Sequence, residues 1–196
     1  MTDTSATSTL CLVVCGAGPA QHAGTLVGLA QRRGWEVTVV ATPMASSMIN
    51  LGELARLSGR AVRSDYRPSG GAGPRPGAAQ AIVVAPATYN FVNKLAAGIN
   101  DTYALNVVAE GIGRGTPVSV LPFVNTALAA RRPFQHAVAS LRAEGVRVIY
   151  GPGQWQPHPP GTGDAHLGTY PWHGALDAIS RDPAARRLLE QPPPED

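Results

Sequence analysis

The chain has 196 residues, of which 44% are hydrophobic and 15% charged, with a formal net charge of +3 at pH 7. That length and apolar content predict one domain with one ordinary core. No apolar run is long enough to span a membrane, and the basic residues (Arg32, Arg33, Arg131, Arg132, Arg186, Arg187, with Lys94 the only lysine) are too scattered for a nucleic-acid face.

Residues 1–8 are polar and lack the basic-then-apolar order of a signal peptide, so they are expected to form a disordered tail on a cytoplasmic protein. Leu10 to Cys15 is a continuous apolar run, as in strands buried on both faces. Its two thiols, Cys11 and Cys15, lie four apart on one strand, too far to bridge comfortably. Ala23 to Arg33 has helical spacing (Leu26, Leu29, Ala30) and stops at Gly34. Glu36 to Val40 reads as a second strand, and Ser46 to Leu57 as helical pieces ending near Gly59. Residues 67–77 form a Pro/Gly-rich loop. Ala81 to Val84 is a third strand, followed by helices from Tyr89 to Ala97 and Thr102 to Gly111. Pro117 to Leu121 and Val146 to Tyr150 read as the last strands, with a helix from Pro133 to Glu144 between them. A second loop, Gly151 to Gly168, precedes a closing helix from Trp172 to Ile179, and residues 182–196 read as a flexible tail.

Strand–helix alternation with short connections predicts an α/β domain over residues 9–181, with a parallel sheet covered on both faces. Ligands of such sheets bind at the carboxyl ends of the strands. Four junctions therefore matter: Gly16-Ala17-Gly18-Pro19, Ala41-Thr42-Pro43, Ala85 to Asn90, and Pro122-Phe123-Val124-Asn125. The third places a hydroxyl, an aromatic ring and an amide (Thr88, Tyr89, Asn90) where a helix offers free N–H groups, which suits a polar planar ligand. The first has two glycines of a dinucleotide fingerprint, but Gln21 stands at the third small position. The second strand ends in Ala41-Thr42, with no acid for a ribose diol. A single phosphate at the start of the first helix fits better, with Thr42 as a hydroxyl donor.

Taken in this order, the junctions resemble the homo-oligomeric flavin-containing cysteine decarboxylases. That superfamily includes phosphopantothenoylcysteine decarboxylase and the lanthipeptide decarboxylases. The likeness runs from about Leu10 to Ile179. The family's flavin motif, Pro-Ala-Ser-Ala-Asn-Thr, stands here as Pro86-Ala87-Thr88-Tyr89-Asn90-Phe91, and its following lysine, glycine and aspartate as Lys94, Gly98 and Asp101. Its motif Pro-x-Met-Asn-x-x-Met-Trp stands as Pro122-Phe123-Val124-Asn125-Thr126-Ala127-Leu128-Ala129. The resemblance implies a flavodoxin-like, Rossmann-like three-layer sandwich that binds FMN. The phosphate would lie over Gly16, Ala17, Gly18 and Pro19, and the ring and ribityl chain against Thr42 and Pro86 to Phe91. It implies assembly as homotrimers, or dodecamers built from them, with FMN at a subunit interface, and a small-molecule or peptide substrate.

The chain also departs from that family as a divergent member. The family's base is a histidine about a dozen residues before the flavin motif. Gly71-Ala72-Gly73-Pro74-Arg75-Pro76 contains none, and Arg75 stays protonated. The Met and Trp of the substrate motif are replaced by Val124, Leu128 and Ala129, leaving Pro122 and Asn125. The loop from Gly151 to Gly168 lacks the reducing cysteine of the coenzyme A branch. Ordinary cysteine decarboxylation is therefore set aside, and flavin binding is not.

Asn125 could bond a substrate carboxylate or the flavin, or simply cap a helix. His158, in Gln156-Pro157-His158-Pro159-Pro160-Gly161-Thr162-Gly163, takes the place of the family's substrate-covering flap. An ordinary surface loop is the plain alternative. Of the other histidines, His22 is close to the phosphate loop and His136 reads as a solvated helix residue. His166 and His173 flank Tyr170-Pro171-Trp172, which docks the last helix. Tyr89 either stacks on flavin or packs in the core. Lys94 and Asp101 read as a helix-face or subunit contact, and Cys15 as buried and inert. No histidine pair shares metal-ligand spacing with a carboxylate, so no metal is expected. Three functions remain: a redox enzyme on a small thiol, peptide or carboxylate, a non-catalytic FMN-binding regulatory or partner protein, and a flavin prenyltransferase-like activity. The last lacks the serine-rich loop it needs.

Overall fold

A computed structural model describes residues 8–65 and 79–180. Five strands, β1 (Thr9–Val14), β2 (Glu36–Ala41), β3 (Ala81–Ala87), β4 (Val118–Pro122) and β5 (Arg147–Val148), form one sheet in the order β2-β1-β3-β4-β5. Every neighbouring pair is parallel. The chain runs from β1 outward to β2, then crosses back to β3, so the topology reverses between β1 and β3. Helices leave to opposite faces at that point and open a crevice at the strand ends.

The apolar runs are continuous because both faces of the sheet are covered. Successive β1 residues alternate between two cores. Cys11 and Val13 join Ile82, Val84, Phe91, Leu105 and Phe134 beneath α4 (Tyr89–Ala96), α5 (Tyr103–Gly113) and α7 (Arg132–Ala143). Leu10, Leu12 and Val14 join Leu26, Val27, Leu54, Leu176 and Ile179 beneath α1 (Gly24–Arg32), α3 (Leu51–Ser58) and α8 (Trp172–Ser180). The result is the flavodoxin-like three-layer α/β architecture expected from the sequence. Among the described residues no helix is long and apolar enough to cross a membrane.

Several elements differ from the sequence reading. The third strand does not end at Val84 but runs to Ala87, so Pro86 and Ala87 are strand residues. The Ala85–Pro86 peptide bond is cis, and pairing with β4 shifts register between Val84 and Ala87 because proline has no N–H for the ladder. Ser46 to Leu57 splits into α2 (Pro43–Ser46) and α3. Asn50 restarts the helix by accepting the Glu53 N–H at 3.0 Å, and Gly59, at φ +70°, ends it. The last strand is two residues, not five. Arg142 donates to the Val148 carbonyl at 2.9 Å and blunts that sheet edge. A short helix, α6 (Thr126–Ala129), follows β4, and a 3₁₀ turn, Gly163–Thr169, lies within the expected loop. Ser8, assigned to the tail, accepts the Glu36 N–H at 2.9 Å. The expectations for residues 1–7, 67–77 and 182–196 lie outside the described residues.

Candidate functional site

The strand ends are tied into a row. Thr42 donates its N–H to the Val14 carbonyl (2.9 Å), Cys15 to Pro86 (3.0 Å) and Phe123 to Ala87 (2.9 Å). The sheet ladder thus continues into the junctions and fixes their spacing. Three junctions then start helices with a side-chain cap. Thr42 Oγ1 accepts from Ala45 N–H (3.3 Å), Thr88 Oγ1 from Phe91 N–H (3.1 Å) and Asn125 Oδ1 from Leu128 N–H (2.9 Å). In each cap the oxygen is the acceptor, and the donor end of the same side chain has no partner among the described residues. The row therefore offers O–H, O–H and NH₂ donors at neighbouring strand ends. Residues 16–22, 42–49, 88–93 and 123–128 contain no Asp or Glu.

The turn after β1 is tightly covered. Ala17 already spends its N–H on Cys15 O (2.8 Å) and Pro19 has none, so Gly16 and Gly18 supply the N–H groups left for an anion. A Cβ on Gly16 would lie 2.4 Å from Met44 Cγ. One on Gly18 would lie 3.0 Å from Leu167 Cδ2 and 3.1 Å from Phe123 Cε1. α2 approaches Gly16 closely and the 163–169 turn approaches Gly18, so any side chain here must displace a neighbour.

Of the motif after β3, Pro86, Ala87 and Phe91 are buried, whereas Thr88 is partly exposed and Asn90 exposed. Tyr89 stacks on Phe134 (5.6 Å, 17°) and packs against the core, the plainer of its two readings. Lys94 and Asp101 form an ion pair between neighbouring turns. Cys15 lies below the row, its thiol pushed up to about 12 chiefly by burial, as is that of Cys11. Both are unreactive by that criterion.

The two catalytic candidates, Asn125 and His158, are adjacent. They form a parallel bridge, and Thr126 N–H donates to the His158 carbonyl (2.8 Å). His158 is 8% exposed, and its ring lies against Phe123 (4.7 Å, 40°) and His166 (5.6 Å, 22°). Phe123 is the hub of this cluster, also meeting Trp155 (6.4 Å) and Tyr170 (5.7 Å). Tyr170 donates its hydroxyl to the Leu121 carbonyl at 2.6 Å and, with buried Trp172, docks α8 as expected. Burial raises the Tyr170 phenol well above its ordinary range. His22, His136 and His173 are exposed.

Sequence reasoning missed Phe123, Gly163 and His166. The first was only a variable position in a motif, and the other two sit in a loop without periodicity. A donor row without carboxylates suits a ligand edge rich in acceptors, such as a phosphate or conjugated carbonyls.

A family model described as Flavoprotein matches residues 2–172. No curated protein matches the chain. Among solved structures, the FMN-dependent cysteine decarboxylase SpaF is 25% identical with a TM-score of 0.65, covering 87% of this chain and 98% of its own. TvaF, an FMN-dependent cysteine decarboxylase from thioviridamide biosynthesis, is 22% identical with a TM-score of 0.68, over 89% and 99%. HAL3 from Cryptococcus neoformans is 19% identical with a TM-score of 0.60, over 87% and 98%. The last two likenesses concern the fold.

Proposed function

The chain belongs to the Flavoprotein family, and from that premise we propose that it binds FMN across the carboxyl ends of β2, β1, β3 and β4. We further propose that it acts there as a redox enzyme on a small thiol, peptide or carboxylate substrate. The observation that carries this reading is the donor row: three cap side chains and the glycine turn present hydrogen-bond donors at adjacent strand ends, with no carboxylate among them. FMN has a phosphate and a ring edge of acceptors, so the residues present fit it. Gly16, Gly18 and Thr42 would hold the phosphate and ribityl end. Thr88 and Asn90 would hold polar edges of the ring, beside the backbone of Pro86, Ala87, Tyr89 and Phe91.

When bound, FMN supplies two-electron exchange with a substrate. The protein's part is to position that substrate and keep water out. Asn125, its oxygen committed to the α6 cap, has its NH₂ to donate to a carboxylate. The segment around His158 covers Phe123 and Gly18 and serves as the flap.

An absorption spectrum of freshly purified protein, with mass spectrometry of the small molecule released by heat, tests the reading. Flavin bands with the mass of FMN support it. Colourless protein that takes up no added FMN refutes it. The second reading, an FMN-binding regulatory or partner protein without catalysis, is favoured by the missing histidine at 71–76 and by Leu128 and Ala129 in the substrate motif. Reduction of bound flavin by thiol or peptide substrates separates the two. We propose a homotrimer or dodecamer in the cytoplasm. Support for the assembly comes from Met44, Met48, Leu51 and Leu57, exposed and apolar on and beside α2 and α3.

A further inference from the structure

We propose that the trough between the outer edge of β5 and α8 is a binding site for a small apolar carboxylate, held by Gln154, Trp155 and Arg142. It is lined by none of the residues assigned to FMN or to the substrate, so it stands apart from the flavin reading. Two cavities form it. One, of about 510 Å³, runs along β5 past Arg142 and Val146, and the other, of about 400 Å³, lies between the turn at Gly153–Trp155 and α8. They share Ile149, Gln154 and Ala178 and so adjoin. Spaces of this size take an ordinary small ligand.

One wall of the trough is a turn held by its own bonds. Gly151 N–H donates to the Trp155 carbonyl (3.1 Å) and Gln154 N–H to the Gly151 carbonyl (3.0 Å), while Gly151 and Gly153 take the positive φ values (107° and 74°) that favour glycine. Gln154 Oε1 accepts the Tyr150 N–H at 2.7 Å, which leaves the Gln154 NH₂ without an acceptor among the described residues. The Trp155 Nε1–H is buried and has no acceptor either. Its ring is not free to turn towards one, because it stacks on Phe123 (6.4 Å, 21°) and meets Tyr170 edge-on (5.5 Å, 86°). A buried donor left in this state forfeits its hydration, which is why such groups normally find a partner. Arg142 spends Nη2 on the carbonyls of Val148 and Tyr150, and its Nε and Nη1 make no bond among the described residues. Asp177, the one acid in the lining, is engaged by Arg33 at 2.8 Å.

The lining selects its ligand. An amide NH₂, an indole N–H and a guanidinium grouped about one turn, with no free acid beside them, suit an anion. Ile149, Pro171 and Ala178 lie among these donors, so the anion carries an apolar body, which sets aside a free phosphate or a sugar phosphate. A carboxylate presents two oxygens and about four lone-pair sites. It can therefore accept from Gln154 and Trp155 together, while Arg142 supplies the opposite charge.

The test titrates para-isopropylbenzoate into the full-length protein, followed by calorimetry and by the indole N–H resonances, which Trp155→Phe assigns. Saturable one-to-one binding is expected, with the Trp155 indole signal moving and those of Trp35 and Trp172 staying in place. Para-isopropylbenzamide, which has the same shape without the charge, is expected to bind roughly tenfold or more weakly. Trp155→Phe keeps a ring beside Phe123, removes the N–H, and is expected to weaken the benzoate about fivefold. Ala178→Trp fills the space that the two cavities share and is expected to abolish binding. The proposal is overturned by the absence of saturable binding, by equal affinity for the amide, or by binding that Ala178→Trp leaves undiminished. Where Trp155→Phe does not fold, Gln154→Met takes its place, removing the exposed amide donor with a similar expected weakening, and unchanged affinity there overturns the proposal equally.

Discussion

Gly18→Ala probes whether the flap is closed on the glycine turn. Gly18 has an ordinary negative φ, so alanine is conformationally acceptable there and should by itself stabilise by about 0.4–1 kcal/mol through the unfolded state. Against this, the new Cβ would meet Leu167 Cδ2 at 3.0 Å and Phe123 Cε1 at 3.1 Å, each roughly half an ångström inside ordinary carbon contact. Leu167 can turn away. Phe123 is bracketed by Trp155, His158 and Tyr170 and resists. Overpacking of this kind costs about 1–3 kcal/mol, leaving a net loss of roughly 1–2 kcal/mol. For a chain of this size that lowers the melting temperature by roughly 2–8 °C. Thermal unfolding by circular dichroism reads the loss, and tryptophan emission reports Trp155 as the flap shifts. Repeating the substitution in a Leu167→Ala background removes the nearest clash, so the penalty should shrink by a measurable coupling. A Gly18→Ala protein with unchanged melting temperature and emission would refute the closed packing. So would a penalty identical in both backgrounds, as far as Leu167 is concerned.

Asn90 is exposed and no described residue pairs with its side chain, so Asn90→Ala should leave stability within about 0.5 kcal/mol of wild type while FMN retention on a desalting column falls. Protein as yellow as wild type would show the ring lies elsewhere. Asn125→Asp keeps the oxygen that caps Leu128 N–H but replaces the NH₂ donor by a carboxylate. It should preserve stability and weaken binding of a carboxylate-bearing peptide at least tenfold by calorimetry, whereas Asn125→Ala should also cost about 1 kcal/mol of stability. Cys11 and Cys15 should resist a thiol-specific reagent at pH 8 in folded protein and react on unfolding. Their thiols are raised by burial from 9.0 to about 12, so the folded chain keeps protons that the unfolded chain releases above pH 9. Stability from this source is full below pH 9 and is lost as pH rises towards 12, by about 1.4 kcal/mol per unit per thiol as an upper bound. A denaturation midpoint constant from pH 8 to 11 would contradict it.

The sequence by itself determined the layered α/β plan and the four junctions. Apolar runs such as Leu10–Val14 and Ala81–Val84, short, β-branched and bounded by breakers, read as strands covered on both faces, and glycines such as Gly59 can end helices without strain. Those signals are local, set by the period of the backbone and the chemistry of single residues. The glycine turn, Thr42, Thr88 and Asn125 were legible for the same reason, because cap and turn residues announce themselves within three or four positions. What a side chain touches across the fold was not. Tyr89 reads equally as a ligand platform or a core ring, and its stack on Phe134, 45 residues away in sequence, is visible only in the tertiary structure. Pro86 reads as a loop residue until neighbours on both sides hold it in the sheet. Phe123, His158, Gly163 and His166 come together because the flap folds back over the end of β4. No spacing in the chain encodes that return, since its energy comes from contacts between residues tens of positions apart. The tertiary structure alone therefore placed His158 beside Asn125.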